Sequence, residues 1–492
     1  MIAFALPALL LTIHLPFLQL PYFWDEMGQF VPAALDLYHH GAWVPRSVPA
    51  NVHPPGVPAL MAAVWRIFGY SIISARLTML LLASVGIVFS FLLTARLGRG
   101  QSRTRIGCAF TAALFLMATP VFYTQSMLVI LDMPAMTFTV LALLLFLDER
   151  YVQCALICTF LVLLKETAIT TPAVFAAWLW YHQKQKKTAL YFVCPAVALG
   201  LWLLVLERVT GHWLGNETFA RENITSALTL HHVFIAFLVR AWFLFISDGR
   251  WLATIALFVG WRRLRSENWH ISFLVAGAQI VMVTVLGGAE LDRYLLPVLP
   301  VLYAAVVTAA VQYPVKWRVA SHVALAALLV LGWFWNPPYP YPYEDNLTMV
   351  DFVYLQKDAA RYLEDHAPDK RIASVWPFTF AIQNPELGYV ARPLKTVDAT
   401  GLRLTDLTAL DRQKFELLVV YSRYSPIQGT WLDAAPLRWF LRRLRRYYDV
   451  RVQATDEEIR EGLGYVPIMR WTRRAQWIEI YAPLNPQGAK QD

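Results

Sequence analysis

Long apolar runs recur through the first two thirds of this sequence, and they decide what the chain can become. They fall at 1–20, 71–97, 106–123, 127–147, 151–181, 188–206, 248–263, 270–287, 295–313 and 319–335. A helix rises about 1.5 Å per residue and the hydrocarbon core of a bilayer is about 30 Å thick, so roughly 20 apolar residues make one crossing. Hydrophobic residues make up 57% of the chain and charged residues 16%. That balance excludes a disordered chain, a fibre and an ordinary water-soluble enzyme. The formal charge of +9 does not point to nucleic acid, because the basic residues sit between apolar runs and form no stripe. The four cysteines, Cys108, Cys154, Cys158 and Cys194, lie inside apolar runs and read as packing residues. The expected fold class is an α-helical polytopic membrane protein.

Orientation follows from the short basic loops, since Lys and Arg accumulate on the cytoplasmic side. The loops carrying Arg96/Arg99/Arg103/Arg105, Lys184/Lys186/Lys187, Arg262/Arg263/Arg265 and Lys316/Arg318 share one side only if 151–181 is a hairpin that turns near Lys165. The segment 231–247 then lies along the opposite interface. This reading gives about eleven spans, with the first run retained as a helix. The N-terminus is expected in the cytoplasm of a multi-pass plasma (inner) membrane protein, and the C-terminus outside it.

Three domains are expected: a transmembrane domain at 1–336 that includes an extracytoplasmic loop at 21–70, a linker at 337–343 and an outer domain at 344–492. The linker alternates ring and proline, Pro337-Pro338-Tyr339-Pro340-Tyr341-Pro342-Tyr343, which favours a stiff extended spacer. Beyond it, Asp351–His366 has helical spacing, with Phe352, Leu355, Ala359 and Leu363 on one face. Arg371–Val375, Glu416–Tyr421, Val450–Ala454 and Trp477–Tyr481 read as short strands, so the outer domain is a small α/β unit.

Five polar motifs gather on the outer side of this topology. Asp25 and Glu26 follow the first run directly, where a partly desolvated carboxylate gains basicity. His53 is held in an extended loop by Pro54 and Pro55, and an imidazole there can bind phosphate, carry a proton or ligate metal. Asp132 stands near the end of the fourth span, with Arg76 at a comparable depth on the second span as a structural ion partner. Lys165 interrupts an apolar stretch, and Arg293-Tyr294 opens a span. Two acids and several cations at one face can hold a phosphorylated lipid and activate a nucleophile beside it. A phosphate neutralised by cations leaves readily, so one carboxylate to take a hydroxyl proton would complete the chemistry.

In this order the motifs Asp25-Glu26, His53-Pro54-Pro55, Leu131-Asp132-Met133-Pro134, Lys165 and Arg293-Tyr294-Leu295-Leu296-Pro297 resemble the protein mannosyltransferase and aminoarabinose transferase group, integral-membrane glycosyltransferases of the GT-C fold. The resemblance implies inverting transfer of a hexosyl or pentosyl unit from a polyprenyl-phosphate sugar to an extracytoplasmic hydroxyl of a lipid, glycan or protein in the cell envelope. By motif, Asp25, Glu26 and Asp132 would match the catalytic acids. His53, Lys165, Arg293 and Tyr294 would sit where donor-phosphate contacts are expected. The sugar-lipid is the co-substrate, and a divalent metal is an open requirement. Gly28 and Gln29 stand where some relatives have Arg and Tyr, and Val52 and His53 where aminoarabinose transferases have Glu and Lys. A polytopic transporter or flippase of a sugar-lipid is the rival class, and it commonly carries an internal repeat, which this sequence lacks.

Overall fold

The computed structural model describes residues 2–98, 101–221, 228–287, 291–337, 339, 341–423, 434, 436–447 and 453–484. Arg99, Glu290, Pro338, Pro340 and the first part of the strand expected from Val450 lie outside these residues. The chain forms two compact units, one of Met1–Leu18 and Gln29–Phe334, the other of Gln19–Gly28 and Trp335–Asp492. Residues 19–28, expected with the membrane part, therefore group with the C-terminal unit.

The first unit is helical. Ile72–Leu97, Lys186–Thr210, Glu267–Leu286 and Asp292–Ala310 are each long and apolar enough to cross a membrane, and shorter apolar helices such as Asp132–Leu147 and Tyr151–Leu164 pack among them. Charged side chains are absent from Leu299–Ala310, and all twelve of its residues are buried, which is how a helix apolar on every side must sit. The expected hairpin has its break where charge interrupts the apolar run. Tyr151–Leu164 stops at Lys165, whose backbone is extended (φ −152°, ψ 122°), and a short 3₁₀ turn, Glu166–Ile169, leads into Thr170–Ala177. Gly86 lets Ile72–Leu97 approach Asp132–Leu147 closely, because a Cβ there would lie 2.6 Å from Thr137 Oγ1. That approach fixes the helix whose first residue is Asp132.

The second unit carries a five-stranded sheet built from β1 (Arg371–Ser374), β2 (Lys395–Asp398), β3 (Leu417–Tyr421), β4 (Tyr465–Arg473) and β5 (Gln476–Pro483), in the order β2-β1-β3-β5-β4. The β1 strand runs parallel to β2 and β3, while β5 runs antiparallel to β3 and β4. The helix Thr348–His366 buries Phe352, Leu355, Ala359 and Leu363, the face read from the sequence. Gln453 and Ala454 are not strand. The two strands that periodicity missed, β2 and β4, are the edges of the sheet. The β2 strand reads Lys-Thr-Val-Asp, and β4 carries Pro467 beside a register shift, both common at edges and both weak apolar signals.

Candidate functional site

Asp132 opens its helix, so its carboxylate stands on the first turn at the positive end of the helix dipole. Lys165 Nζ donates to Asp132 Oδ1, and Arg293 Nε lies 3.3 Å from Oδ2. All three side chains are 6% exposed or less. The ammonium of Lys165 also sits over the ring of Tyr294, 4.3 Å from its centroid. Gln279 ties this corner to its own helix, donating to the Tyr294 carbonyl at 3.3 Å and accepting from Thr170 Oγ1 at 3.5 Å. Arg76 is buried and donates to the Met127 carbonyl at 2.9 Å, in the turn that delivers Asp132. Ionised groups removed from water are tolerated only when paired, and this cluster pairs them across three segments distant in sequence.

A second pair adjoins the first. His53 Nδ1 lies 2.9 Å from Glu166 Oε2, and both side chains are mostly buried. The imidazole is positioned from three sides. Asn51 Oδ1 accepts the His53 backbone N–H at 3.0 Å, while Phe30 and Phe219 stand 5.8 Å and 5.7 Å from its ring. Lys165 and Glu166 are consecutive, so one break in one helix sends an ammonium to Asp132 and a carboxylate to His53. The resemblance implies a phosphate contact for His53, and sequence reasoning gave Glu166, noticed beside Lys165, no role of its own. The only signal available was its position beside Lys165 in an otherwise apolar stretch.

Asp25 and Glu26 are held by the other unit. The Tyr22 N–H donates to the Leu387 carbonyl at 3.2 Å, and the Tyr389 hydroxyl donates to the Tyr22 carbonyl at 2.8 Å. Phe23 meets Phe352 edge-on at 5.7 Å, and Trp24 meets Trp376 at 5.0 Å. These aromatic residues explain why the segment joins the C-terminal unit. Glu26 is fully buried, and its Oε2 accepts the Phe23 N–H at 2.9 Å, closing a tight turn in which Trp24 has φ +42°. Asp25 is partly exposed on that turn.

Among the described residues, no three His, Cys, Asp or Glu side chains gather closely enough to hold a metal ion. No protein-family model matches the chain, and no curated protein matches it. Solved structures do. ArnT from Cupriavidus metallidurans bound to undecaprenyl phosphate superposes with a TM-score of 0.57 at 14% identity, over 96% of this chain and 97% of that one. The same protein in the apo state gives 0.54, again at 14% identity and with the same coverage. At this identity the likeness establishes the fold. It is the GT-C membrane fold that the ordered motifs led us to expect.

Proposed function

We propose that this multi-pass membrane protein is a glycosyltransferase that takes a sugar from a polyprenyl-phosphate donor and passes it to an acceptor hydroxyl with inversion. The observation that supports this most is the convergence of Lys165 and Arg293 on the single carboxylate of Asp132, with Tyr294 against the ammonium. Two cations held in one buried corner suit a phosphate whose charge grows as the sugar departs. Asp132 keeps both cations in place. The neighbour in fold that carries undecaprenyl phosphate supports a ligand of the same chemistry here. In this reading Asp25 takes the proton from the acceptor hydroxyl as its oxygen attacks the anomeric carbon, and the bond to phosphate breaks on the opposite face. The acceptor is a lipid, glycan or protein of the cell envelope, and the reacting groups face the extracytoplasmic side of the plasma (inner) membrane.

The test uses the purified full chain in lipid nanodiscs, given polyprenyl-phosphate sugars and an extract of envelope acceptors. Transfer by the wild type and a large rise in donor KM in Lys165→Met are expected. Transfer by Lys165→Met with unchanged donor KM would refute the assignment of the phosphate site.

A further inference from the structure

An open cleft in the first unit is lined at one end by His53. One wall is the helix Val31–His40 with its preceding turn, which supplies Gln29, Phe30, Ala33 and Leu37. The facing wall is the loop bearing Trp43, Pro45, Val48 and Pro49, and Trp202 closes the side.

The cleft is built in advance of any ligand. The carboxylate of Asp36 ties the loop wall to the helix, its Oδ2 accepting from the Arg46 N–H at 2.6 Å, the Ser47 N–H at 2.8 Å and the Ser47 hydroxyl at 2.9 Å. At the closed end, Trp202 Nε1 donates to the Val52 carbonyl at 3.0 Å and Asn216 donates to the Ala50 carbonyl. Gly215, at φ +85°, packs so closely that a Cβ would lie 2.6 Å from the Asn51 backbone. The remaining prolines of the loop stiffen it further.

Its polar end has a fixed sense. Glu166 occupies the Nδ1 edge of His53, Phe30 and Phe219 stand beside the ring, and His53 lines the cleft. With Nδ1 engaged by Glu166, Nε2 is the ring nitrogen left to hydrogen-bond a ligand. Trp43, which is 59% exposed, offers an aromatic surface on the facing wall. Flat aromatic walls, an amide from Gln29 and one oriented imidazole nitrogen suit a ring with apolar C–H faces and hydroxyl edges. Glu166, which holds His53 at this end, follows Lys165 of the cation cluster in sequence.

We infer that this cleft is a saccharide subsite, with Trp43 against the sugar ring and His53 Nε2 hydrogen-bonded to a sugar hydroxyl. The choice of a sugar rests on the transferase reading. The ring belongs to the donor or to the acceptor, and the experiment separates these.

Binding is measured without turnover, by saturation-transfer NMR on the full chain in phosphatidylcholine nanodiscs, which avoids glycoside detergents. The probes are methyl α-D-mannopyranoside and methyl α-L-arabinofuranoside, with hexane-1,2-diol as the non-sugar control. At least one glycoside should contact the wild type and Trp43→Phe, while Trp43→Ala should weaken that contact roughly tenfold, the scale of one aromatic surface. His53→Gln should weaken it while leaving thermal stability within a few degrees of the wild type. No glycoside contact in the wild type, or contact unchanged in Trp43→Ala, overturns the inference. Where transfer is also measurable, Trp43→Ala raises KM for the donor alone or for the acceptor alone, which identifies the owner of the ring. Unchanged values for both overturn the subsite. Glycoside binding that depends on Trp43 without any transfer upholds the cleft and counts against the transferase reading instead.

Discussion

Asp132 balances two cations with one carboxylate, so its neighbours do not respond equally to its loss. In Asp132→Asn, Lys165 and Arg293 keep their buried charges and lose the group between them, a change that typically costs about 3–5 kcal/mol. Lys165→Met instead leaves Arg293 facing Asp132 as a matched pair. The melting temperature in detergent should therefore fall further in Asp132→Asn than in Lys165→Met, and the reverse order would show that the cluster is not held by Asp132. Asp25 has the opposite profile, being partly exposed on a turn fixed by aromatic packing. Asp25→Asn should fold normally, bind donor lipid with unchanged affinity and lose transfer by roughly 10²-fold or more, as expected for a general base; retained transfer would remove it from that role. Much of this site could be read from the sequence, because a charge inside an apolar run announces itself. The partners could not. His53 and Glu166 are 113 residues apart, and Gln279 reaches Tyr294 from another helix, so their pairing is a product of packing and leaves no local pattern.

At the scale of the element, the loop between Val31–His40 and Gly56–Phe68 takes its shape from a side chain. Asp36 accepts three hydrogen bonds from residues 46 and 47 on one oxygen, so Asp36→Ala should release the loop without unfolding the helices around it. Amide exchange should rise across 42–49 and stay unchanged in Ile72–Leu97; uniform exchange across both would mean that Asp36 does not organise the loop. The helices themselves were legible as apolar runs, and the break at Lys165 as the charged interruption of one of them. Helix ends were less so. The run read as 127–147 contains an irregular turn, and its helix begins only at Asp132, because the Ile130 N–H bonds to the Leu128 carbonyl instead of continuing a helical ladder. In the sheet, central β1, β3 and β5 announced themselves by buried apolar residues, whereas the edge strands β2 and β4 did not.

At the scale of the molecule, the two units answer to different solvents and should respond differently to pH. In the C-terminal unit, burial pushes the carboxyl of Glu479 above its ordinary range, and Asp456 adds to that, against the hydrogen bond from Tyr481 and the charge of Arg470. The folded state then holds a proton that the unfolded chain has released, so Glu479 favours folding most at low pH and loses that advantage as pH rises through its raised titration range. Glu479→Gln should flatten the fall in melting temperature on this alkaline side, and an unchanged slope would exclude Glu479 as its source. Orientation is a second property of the whole. If the C-terminal unit lies outside the cytoplasm, as the basic loops predict, alkaline phosphatase fused to the C-terminus is active and a fused green fluorescent protein dark; the opposite pattern would invert that topology. Residues 19–28, which carry Asp25 and Glu26, group with the C-terminal unit although they follow the first helix in sequence. Finally, the pivot at Lys165-Glu166 makes one stretch of main chain the common foundation of two neighbouring rooms. Moving that foundation by a single residue would misalign both at once, so neither can be remodelled on its own by lengthening or shortening the hairpin. Diversification of what each room accepts must come from the opposite walls.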